Sequence, residues 1–307
     1  MAMSQNISLR LLIIAELVGL VMILAACKDG EIAPAETISQ TSTTAPSESA
    51  LTATLTPLSP SATPADLAAQ VNGEGISLAE YETELALFRA AVSTSLATYG
   101  EETVLEDMIA QVLLAQAATE AGFVVDETLF QTRIDKLDNG EQALQDWLSV
   151  HEYTEQSFRQ TLARSIAAAW MRDQIIVEVP NTADQVHARQ ILLYNLDEAN
   201  NVFAQLENGT DFGTLAAKYK PLTSGDLGWF PRGYLTVPEL DDVIFALDPG
   251  EYGPVVETQL GFHIVQAIER DPQRPLSPDA YRVLQIQAIQ QWLDDRRSQS
   301  EIVIITP

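Results

Sequence analysis

Residues 225–230 read Gly-Asp-Leu-Gly-Trp-Phe, a glycine-rich turn that leads directly into a strand. The segments around this turn are, in chain order, a strand at 186–193, helices at 197–206 and 211–219, the strand at 225–230, a helix at 238–247, and strands at 253–256 and 261–265. Strands interspersed with short helices predict a sheet with helices packed around it. We therefore expect a small mixed α/β domain with a four-stranded sheet over residues 179–272.

A helical domain is predicted upstream of this sheet, over residues 67–178. Apolar residues recur there at helical spacing in five segments, which are residues 77–88, 101–121, 125–137, 141–150 and 154–176. The first helix begins with a capping box, in which Ser77 is followed three residues later by Glu80. Before it, Asn72-Gly73 marks a tight turn beside a short strand. The expected fold class is α+β, an all-α domain joined to the mixed α/β domain.

The charge and the scarcity of metal-binding residues exclude several kinds of function. The chain has 307 residues, of which 43 are acidic and 17 are basic, and its formal net charge is −26. A surface of this charge repels phosphate backbones, so nucleic acid is not expected as a partner. Three histidines and one cysteine are too few for a clustered zinc site or a disulfide framework. We expect no cofactor and no metal ion.

The amino-terminal residues 1–27 have the layout of an export signal. As a helix, the apolar run at 11–26 would cover only about 24 Å, less than the ~30 Å hydrocarbon core of a bilayer. The four residues at 24–27, Leu-Ala-Ala-Cys, resemble the lipobox of bacterial lipoproteins. That resemblance implies cleavage before Cys27 and lipidation of its sulfur, so the protein is expected to be anchored to a membrane. An uncleaved signal anchor is the alternative.

Residues 28–66 separate this signal from the folded part. Residues 37–66 are dominated by Ser, Thr, Pro and Ala and contain no aromatic residue. Such a composition buries too little apolar surface to fold, so a disordered tether is predicted. The tether would hold the folded part away from a membrane in the extracytoplasmic space.

The α/β segment resembles the parvulin (rotamase) family of peptidyl-prolyl cis-trans isomerases. Three motifs match in order: Ala-Arg-x-Ile-Leu at 188–192, Gly-Asp-Leu-Gly-Trp-Phe at 225–230, and Phe-Ala-Leu-x-Pro-Gly-Glu at 245–251 followed by Gly-Phe-His-Ile-Val at 261–265. The resemblance implies catalysis of rotation about Xaa–Pro bonds.

The helical segment is similar to the N-terminal chaperone domain of SurA-type exported foldases. The similarity rests on the stretches 71–74 and 76–81 and on the order of helices that follows. It implies that residues 273–307, a helix and a terminal strand, pack back on the chaperone domain. The terminal strand at 302–305 is then expected to pair with the strand around Val71.

Rotation about an Xaa–Pro bond faces a barrier of ~18–20 kcal/mol, although the two isomers differ by only ~0.5–1 kcal/mol. No covalent bond changes, so a catalyst must bind the twisted amide more tightly than either planar form. An apolar pocket for the proline ring, with polar groups at its edge, meets this requirement.

The parvulin resemblance assigns residues to both parts of such a site. His263 matches the family histidine on the last strand, and Gln190 stands where the family has a partner histidine. These two are the expected catalytic residues. The expected substrate-binding pocket is formed by four apolar residues: Leu227, Leu235, Leu240 and Phe245.

Two features depart from the family pattern. Gln190 replaces one histidine of the pair, although an amide can still hydrogen-bond to an imidazole. His187, three residues earlier, lies on the opposite face of an alternating strand and cannot replace it. The segment at 220–224 is shorter than in the family and lacks the Cys or Asp placed there near the substrate carbonyl.

The favoured interpretation is a lipid-anchored foldase of the bacterial cell envelope that binds unfolded exported proteins and isomerises their Xaa–Pro bonds. One alternative is a non-catalytic holdase in which the parvulin domain only binds peptides, because Gln190 and the short segment depart from the family. A second alternative is a surface lipoprotein for adhesion or assembly.

Overall fold

A computed structural model describes residues 67–91, 100–135, 140–151 and 153–305. The predicted signal segment, Cys27 and the tether at 28–66 lie outside these described residues. The described chain divides into two compact units, one comprising the residues before Gln174 and after Trp292, and the other Gln174–Trp292.

The first unit combines helices with a small sheet. Its elements are β1 Leu67–Val71, β2 Glu74–Ser77, α1 Leu78–Ala91, α2 Gly100–Glu120, α3 Glu127–Asp135, α4 Gly140–Val150, α5 Glu155–Val177 and β7 Ile302–Ile304. The three strands form an antiparallel sheet in the order β2-β1-β7, in which Val71 lies opposite Ile302, the pairing that the SurA resemblance implies. The fold class is α+β, and the helical unit itself carries this sheet.

Local signals in the sequence explain how the first unit begins. Asn72 and Gly73 both have positive φ, 51° and 85°, which matches the right-handed twist of a two-residue hairpin. The Ser77 hydroxyl caps α1 by accepting a hydrogen bond from the Glu80 amide at 3.1 Å. The carboxylate of Glu80 in turn pairs with Arg164 of α5 at 2.6 Å, and both side chains are nearly buried. The capping box therefore connects α1 to the rest of this unit.

The second unit is built on a four-stranded sheet in the order β4-β3-β6-β5, and every neighbouring pair is antiparallel. Its elements are β3 Thr182–Leu193, α6 Leu196–Glu207, α7 Phe212–Tyr219, β4 Asp226–Pro231, α8 Pro238–Ala246, β5 Val256–Thr258, β6 Gly261–Pro275 and α9 Pro278–Ser298, the last of which ends beyond the unit. The sequence predicts residues 273–307 with the helical domain, whereas the compact units divide α9 after Trp292.

Each face of the four-stranded sheet carries its own apolar core, because successive strand side chains point to opposite faces. On one face, Ile191 and Ile264 pack with residues of α6 and α7: Ala199, Val202, Leu206, Phe212, Leu215 and Ala216. On the other face, Ala188 and Val265 pack with residues of α8: Leu240, Ile244 and Phe245. The second face therefore collects two of the residues expected in the substrate pocket.

Gly225, the first residue of the Gly-Asp-Leu-Gly-Trp-Phe motif, allows β4 to lie against β3. Its φ is +72°, and a Cβ at this position would lie 1.9 Å from the carbonyl oxygen of Gln190. Gly228 has almost the same φ, +71°, but a Cβ there would meet no atom within 4 Å. The two glycines therefore share a backbone conformation and differ in the space around it.

We predict that Gly225→Ala lowers the free energy of unfolding more than Gly228→Ala does. Both variants carry the cost of a positive φ, whereas only the first forces a backbone contact, which adds about 1–3 kcal/mol. Urea unfolding of both variants and the parent protein measures the difference. Equal unfolding midpoints for the two variants would contradict the close approach of Gly225 to β3.

Candidate functional site

His263 lies in β6 at the centre of a hydrogen-bonded row. Its side chain is almost fully buried, with 2% of the residue exposed. Ring atom Nδ1 lies 2.8 Å from Oε1 of Gln190, and Nε2 lies 2.9 Å from Oγ1 of Thr258. We call Gln190, His263 and Thr258 the polar row. The two residues expected to be catalytic are thus in direct contact.

The partners of His263 define its protonation state. Oε1 of Gln190 can only accept a hydrogen bond, so Nδ1 must carry the ring proton and donate it. Nε2 is then the acceptor for the hydroxyl of Thr258. Burial lowers the pKa of His263, and the negative charge of Glu239 only partly opposes this effect. The ring is therefore neutral at pH 7.

Sheet register brings His263 and Gln190 together. In the pairing of β3 with β6, Leu192 lies opposite His263 and Gln190 lies opposite Val265. Gln190 and His263 are thus diagonal neighbours on one face of the sheet, within reach of side chains of this length. The same face carries Val265 and, on β5, Val256, which lies opposite His263.

Thr258 is a site residue that the sequence analysis missed. It ends β5 and lies opposite Gly261 across a tight turn, so its hydroxyl reaches the ring of His263 five residues later. The hydroxyl oxygen also accepts a hydrogen bond from the Leu260 amide at 3.1 Å. A polar residue just before a short hairpin turn is the only sequence signal for this contact, and the signal does not specify the register.

The four apolar residues expected in the pocket belong to one cluster on the same sheet face. Leu240 and Phe245 of α8 are buried, whereas Leu227 of β4 and Leu235 of the following loop are partly buried against them. We call these four residues the apolar wall. The structure therefore brings together all the residues that the sequence nominates for proline binding.

An open cavity of about 320 Å³ lies beside this cluster. Its lining includes Gln190, Leu192, Leu227 and the segment at 220–223. Leu235, Leu240 and Phe245 do not line the cavity. The open space thus begins where the polar row meets the apolar wall, while the α8 part of the wall is closed by packing.

His187 and Asp226 form a separate pair at the edge of the sheet. Nε2 of His187 lies 2.9 Å from Oδ1 of Asp226, and the imidazole stacks on Trp229 with ring centroids 5.6 Å apart. The amide of Gly228 and then His187 lower the pKa of Asp226, so this residue is ionised at the cavity wall. His187 is engaged here and does not join the polar row.

Within the ranges that the structure describes, no three His, Cys, Asp or Glu side chains are grouped so that they could hold a metal ion. The polar row itself offers an amide, an imidazole and a hydroxyl. These groups donate and accept hydrogen bonds without a change of net charge, which suits a reaction that neither gains nor loses a proton.

Comparison with known families identifies both folded parts. A family described as "PPIC-type PPIASE domain" matches residues 174–271, and one described as "SurA-like N-terminal domain" matches residues 55–172. We call residues 174–271 the PPIase domain and residues 55–172 the SurA-like domain, after the families that they match. The polar row and the apolar wall lie entirely within the PPIase domain.

Individual proteins are also similar to parts of this chain. A foldase protein PrsA from Caldanaerobacter subterraneus is 26% identical over 232 residues, which cover 66% of this chain and 73% of the relative. A chaperone SurA from Nitrosospira multiformis is 32% identical over 145 residues, which cover 40% of this chain and only 33% of the relative. A crystal structure of a peptidylprolyl isomerase (PrsA) from Bacillus cereus is 18% identical and gives a TM-score of 0.42 over 77% of this chain and 88% of that one.

We predict that the pKa of His263 is lower than the usual pKa of an imidazole, and that the neutral ring carries its proton on Nδ1. Two-dimensional ¹⁵N spectra of the ring nitrogens measure both the tautomer and the pKa. The unfolded chain binds the additional ring proton more readily than the folded one does. Protonation of His263 should therefore lower the free energy of unfolding as the pH falls below ~6.5. A proton on Nε2 in the neutral ring, or a raised pKa, would contradict the arrangement of the polar row.

Proposed function

We propose that this protein is a foldase of the bacterial cell envelope, which binds unfolded exported chains and catalyses cis–trans isomerisation of their Xaa–Pro bonds. The PPIase domain, the SurA-like domain and the relatives named as a foldase and a chaperone support the proposal. The observation that carries it is the polar row of Gln190, His263 and Thr258 beside the apolar wall.

The apolar wall is proposed to bind the proline ring of the client, with Leu227 bordering the cavity and the closed residues of α8 supporting it from behind. Twisting the Xaa–Pro amide removes conjugation, so the nitrogen becomes amine-like and the carbonyl becomes less polar than in the planar forms. Apolar surroundings favour the less polar twisted state. Lowering the barrier by ~5–7 kcal/mol would accelerate rotation roughly 10⁴- to 10⁵-fold.

Gln190 is proposed to steer the carbonyl of the residue before the proline. Its Oε1 is used by His263, while no hydrogen bond within the described residues uses its Nε2. Gln190 also lines the open cavity, so its amide N–H groups are available to a bound peptide. His263 acts through Gln190 and Thr258, because both of its ring nitrogens are occupied within the protein.

We predict that Gln190→Leu lowers kcat/KM at least about tenfold, since it retains bulk but removes roughly 1.4 kcal/mol of transition-state stabilisation. Gln190→His should give unchanged or higher activity, because it supplies the second histidine of the family pattern diagonal to His263. Isomerisation of a short proline-containing peptide, followed without a coupling protease, measures both variants.

Gln205→Leu on α6 is the matched control, because this glutamine bonds within its own helix to Asn201 and lies outside the polar row. Its activity should equal that of the parent protein. A steep loss for Gln190→His, or no loss for Gln190→Leu, would show that Gln190 does not contact the substrate.

The holdase alternative is favoured by Gln190 in place of a family histidine and by the closed packing of Leu240 and Phe245. The holdase would be supported if the parent protein suppresses aggregation of a denatured client but isomerises a proline peptide only at the uncatalysed rate. Failure in both measurements would leave the adhesion or assembly alternative.

Membrane anchoring is proposed to occur through lipid on Cys27. Several acyl chains anchor a protein stably, whereas one chain gives only marginal binding. Among the residues that the structure describes, no helix has an apolar stretch long enough to span a bilayer. Cys27 is the single cysteine of the chain, so its substitution removes every thiol.

We predict that Cys27→Ser abolishes incorporation of labelled palmitate in a bacterial host and releases the protein from the membrane fraction. Labelling and membrane fractionation of the parent and the variant measure this directly. A variant that lacks the label but remains in the membrane would instead indicate an uncleaved signal anchor.

A further inference from the structure

The loop between β4 and α8 positions part of the apolar wall, because Leu235 lies on it. Two residues before Leu235, the peptide groups of Gly233 are held from both sides. The Gly233 N–H donates to Oδ2 of Asp241 in a short hydrogen bond, and the Gly233 carbonyl accepts from Nε2 of Gln287 at 2.7 Å. We call Asp241, Gly233 and Gln287 the loop clamp.

Asp241 is an unusual residue to find in this place. It is 6% exposed, and its Oδ1 has no hydrogen-bond partner among the described residues. Leaving a buried carboxylate oxygen unpartnered costs roughly 1–3 kcal/mol or more. Asp241 directly follows Leu240 of the apolar wall, in the first turn of α8, where the helix dipole favours a negative charge. Its evident contribution is to tie the loop of Leu235 to the helix of Leu240.

Gln287 approaches the same glycine from a different part of the chain. It lies on α9, beyond residue 271, at which the match to the PPIase family ends. A Cβ at Gly233 would lie 2.4 Å from Nε2 of Gln287, and the φ of Gly233 is +81°. The backbone conformation therefore favours glycine at position 233, and the side-chain end of Gln287 lies directly against its Cα.

Neighbouring contacts hold the rest of this loop. Arg232 pairs with Asp242 at 2.9 Å, and its guanidinium lies 4.7 Å from the centroid of the Phe245 ring. Both partners of the ion pair are largely exposed, so it contributes little by itself. The loop clamp, with one buried member, is the stronger restraint on the position of Leu235.

We propose that Asp241 and Gln287 are positioning residues for proline binding, and that α9 thereby forms part of the isomerase site. The inference rests on the proposed function and extends it, because it assigns to the site an element outside the family match. Loss of either hydrogen bond lets the Gly233 peptide rotate and moves Leu235 away from Leu240. A displacement of about 1 Å in a binding group is enough to weaken catalysis substantially.

Gln287→Ala tests the proposal with little risk to folding, because Gln287 is only partly buried. We expect KM for a short proline peptide to rise roughly three- to tenfold, with kcat nearly unchanged, as for the loss of one hydrogen bond. Gln285→Ala is the matched control, since it lies two residues earlier on the opposite side of α9. The control should keep the KM of the parent.

Asp241 gives a second, independent comparison. Asp241→Asn retains an oxygen that can accept from the Gly233 amide, whereas Asp241→Ala removes it. We expect Asn to preserve most of the peptide affinity and Ala to lose it. The Gly233 amide proton, shifted downfield by its bond to a carboxylate, should move upfield in the Ala variant.

Peptide affinity measured by NMR titration separates this inference from the proposed function. If the parent isomerises the peptide but Gln287→Ala has the KM and dissociation constant of the parent, the loop clamp has no positioning role. If the parent binds the peptide without isomerising it, catalysis is refuted, while weaker binding by Gln287→Ala still supports the clamp. If the parent neither binds nor isomerises it, both proposals are refuted.

Discussion

The antiparallel pairing of β3 with β6 determines whether Gln190 and His263 can meet. Because side chains alternate along a strand, a slip of one residue would turn His263 away from Gln190 and exchange the two faces of the sheet. Such a slip is strongly disfavoured here, since both faces are apolar. It would move Ile191 and Ile264 out of one core, and Ala188 and Val265 out of the other. The two cores thus fix the register on which the polar row depends.

Burial decides the charge of His263 despite an acidic protein around it. A net charge of −26 would by itself favour the imidazolium ion, and Glu239 does so locally. Removing the ring from water outweighs this attraction, so the pKa falls. Thr258 is compatible with the result, since its hydroxyl can donate to Nε2 while its oxygen accepts from the Leu260 amide. The row is therefore satisfied at both ends without a formal charge.

Much of the fold follows from periodicity and turn chemistry in the sequence. The helices of both units and the Asn72-Gly73 turn lie where the pattern predicts them, whereas the pairing of the terminal strand with β1 was implied only by the SurA resemblance. The predicted strand at 261–265 instead continues to Pro275 as β6. Its second half is polar, so no apolar alternation reveals it. Backbone pairing with β3 and a bidentate ion pair between Arg270 and Asp184 hold it instead.

Only part of the candidate site could be predicted from the sequence. Motif order was enough to nominate Gln190, His263 and the apolar wall, because each falls within or beside a recognisable stretch of sequence. Thr258 and the loop clamp were not foreseen, because they depend on hairpin register and on a helix that follows the matched family segment. The open volume could not be foreseen either. Residue type indicates an apolar wall, but only packing shows that Leu240 and Phe245 are closed while Leu227 borders free space.

Gln190, in place of the family histidine, removes no group that rotation about an Xaa–Pro bond requires. Bond rotation neither releases nor takes up a proton, so the site needs oriented dipoles and not an acid–base pair. An amide supplies an acceptor to His263 and has two N–H donors that no hydrogen bond among the described residues uses, and it keeps these groups at any pH near neutrality. The substitution therefore alters the shape and polarity of the site while leaving the chemistry of isomerisation possible. Under the proposed function, the rate would then depend on how firmly the surrounding structure holds the apolar wall, since a displacement of about 1 Å in a binding group is enough to weaken catalysis.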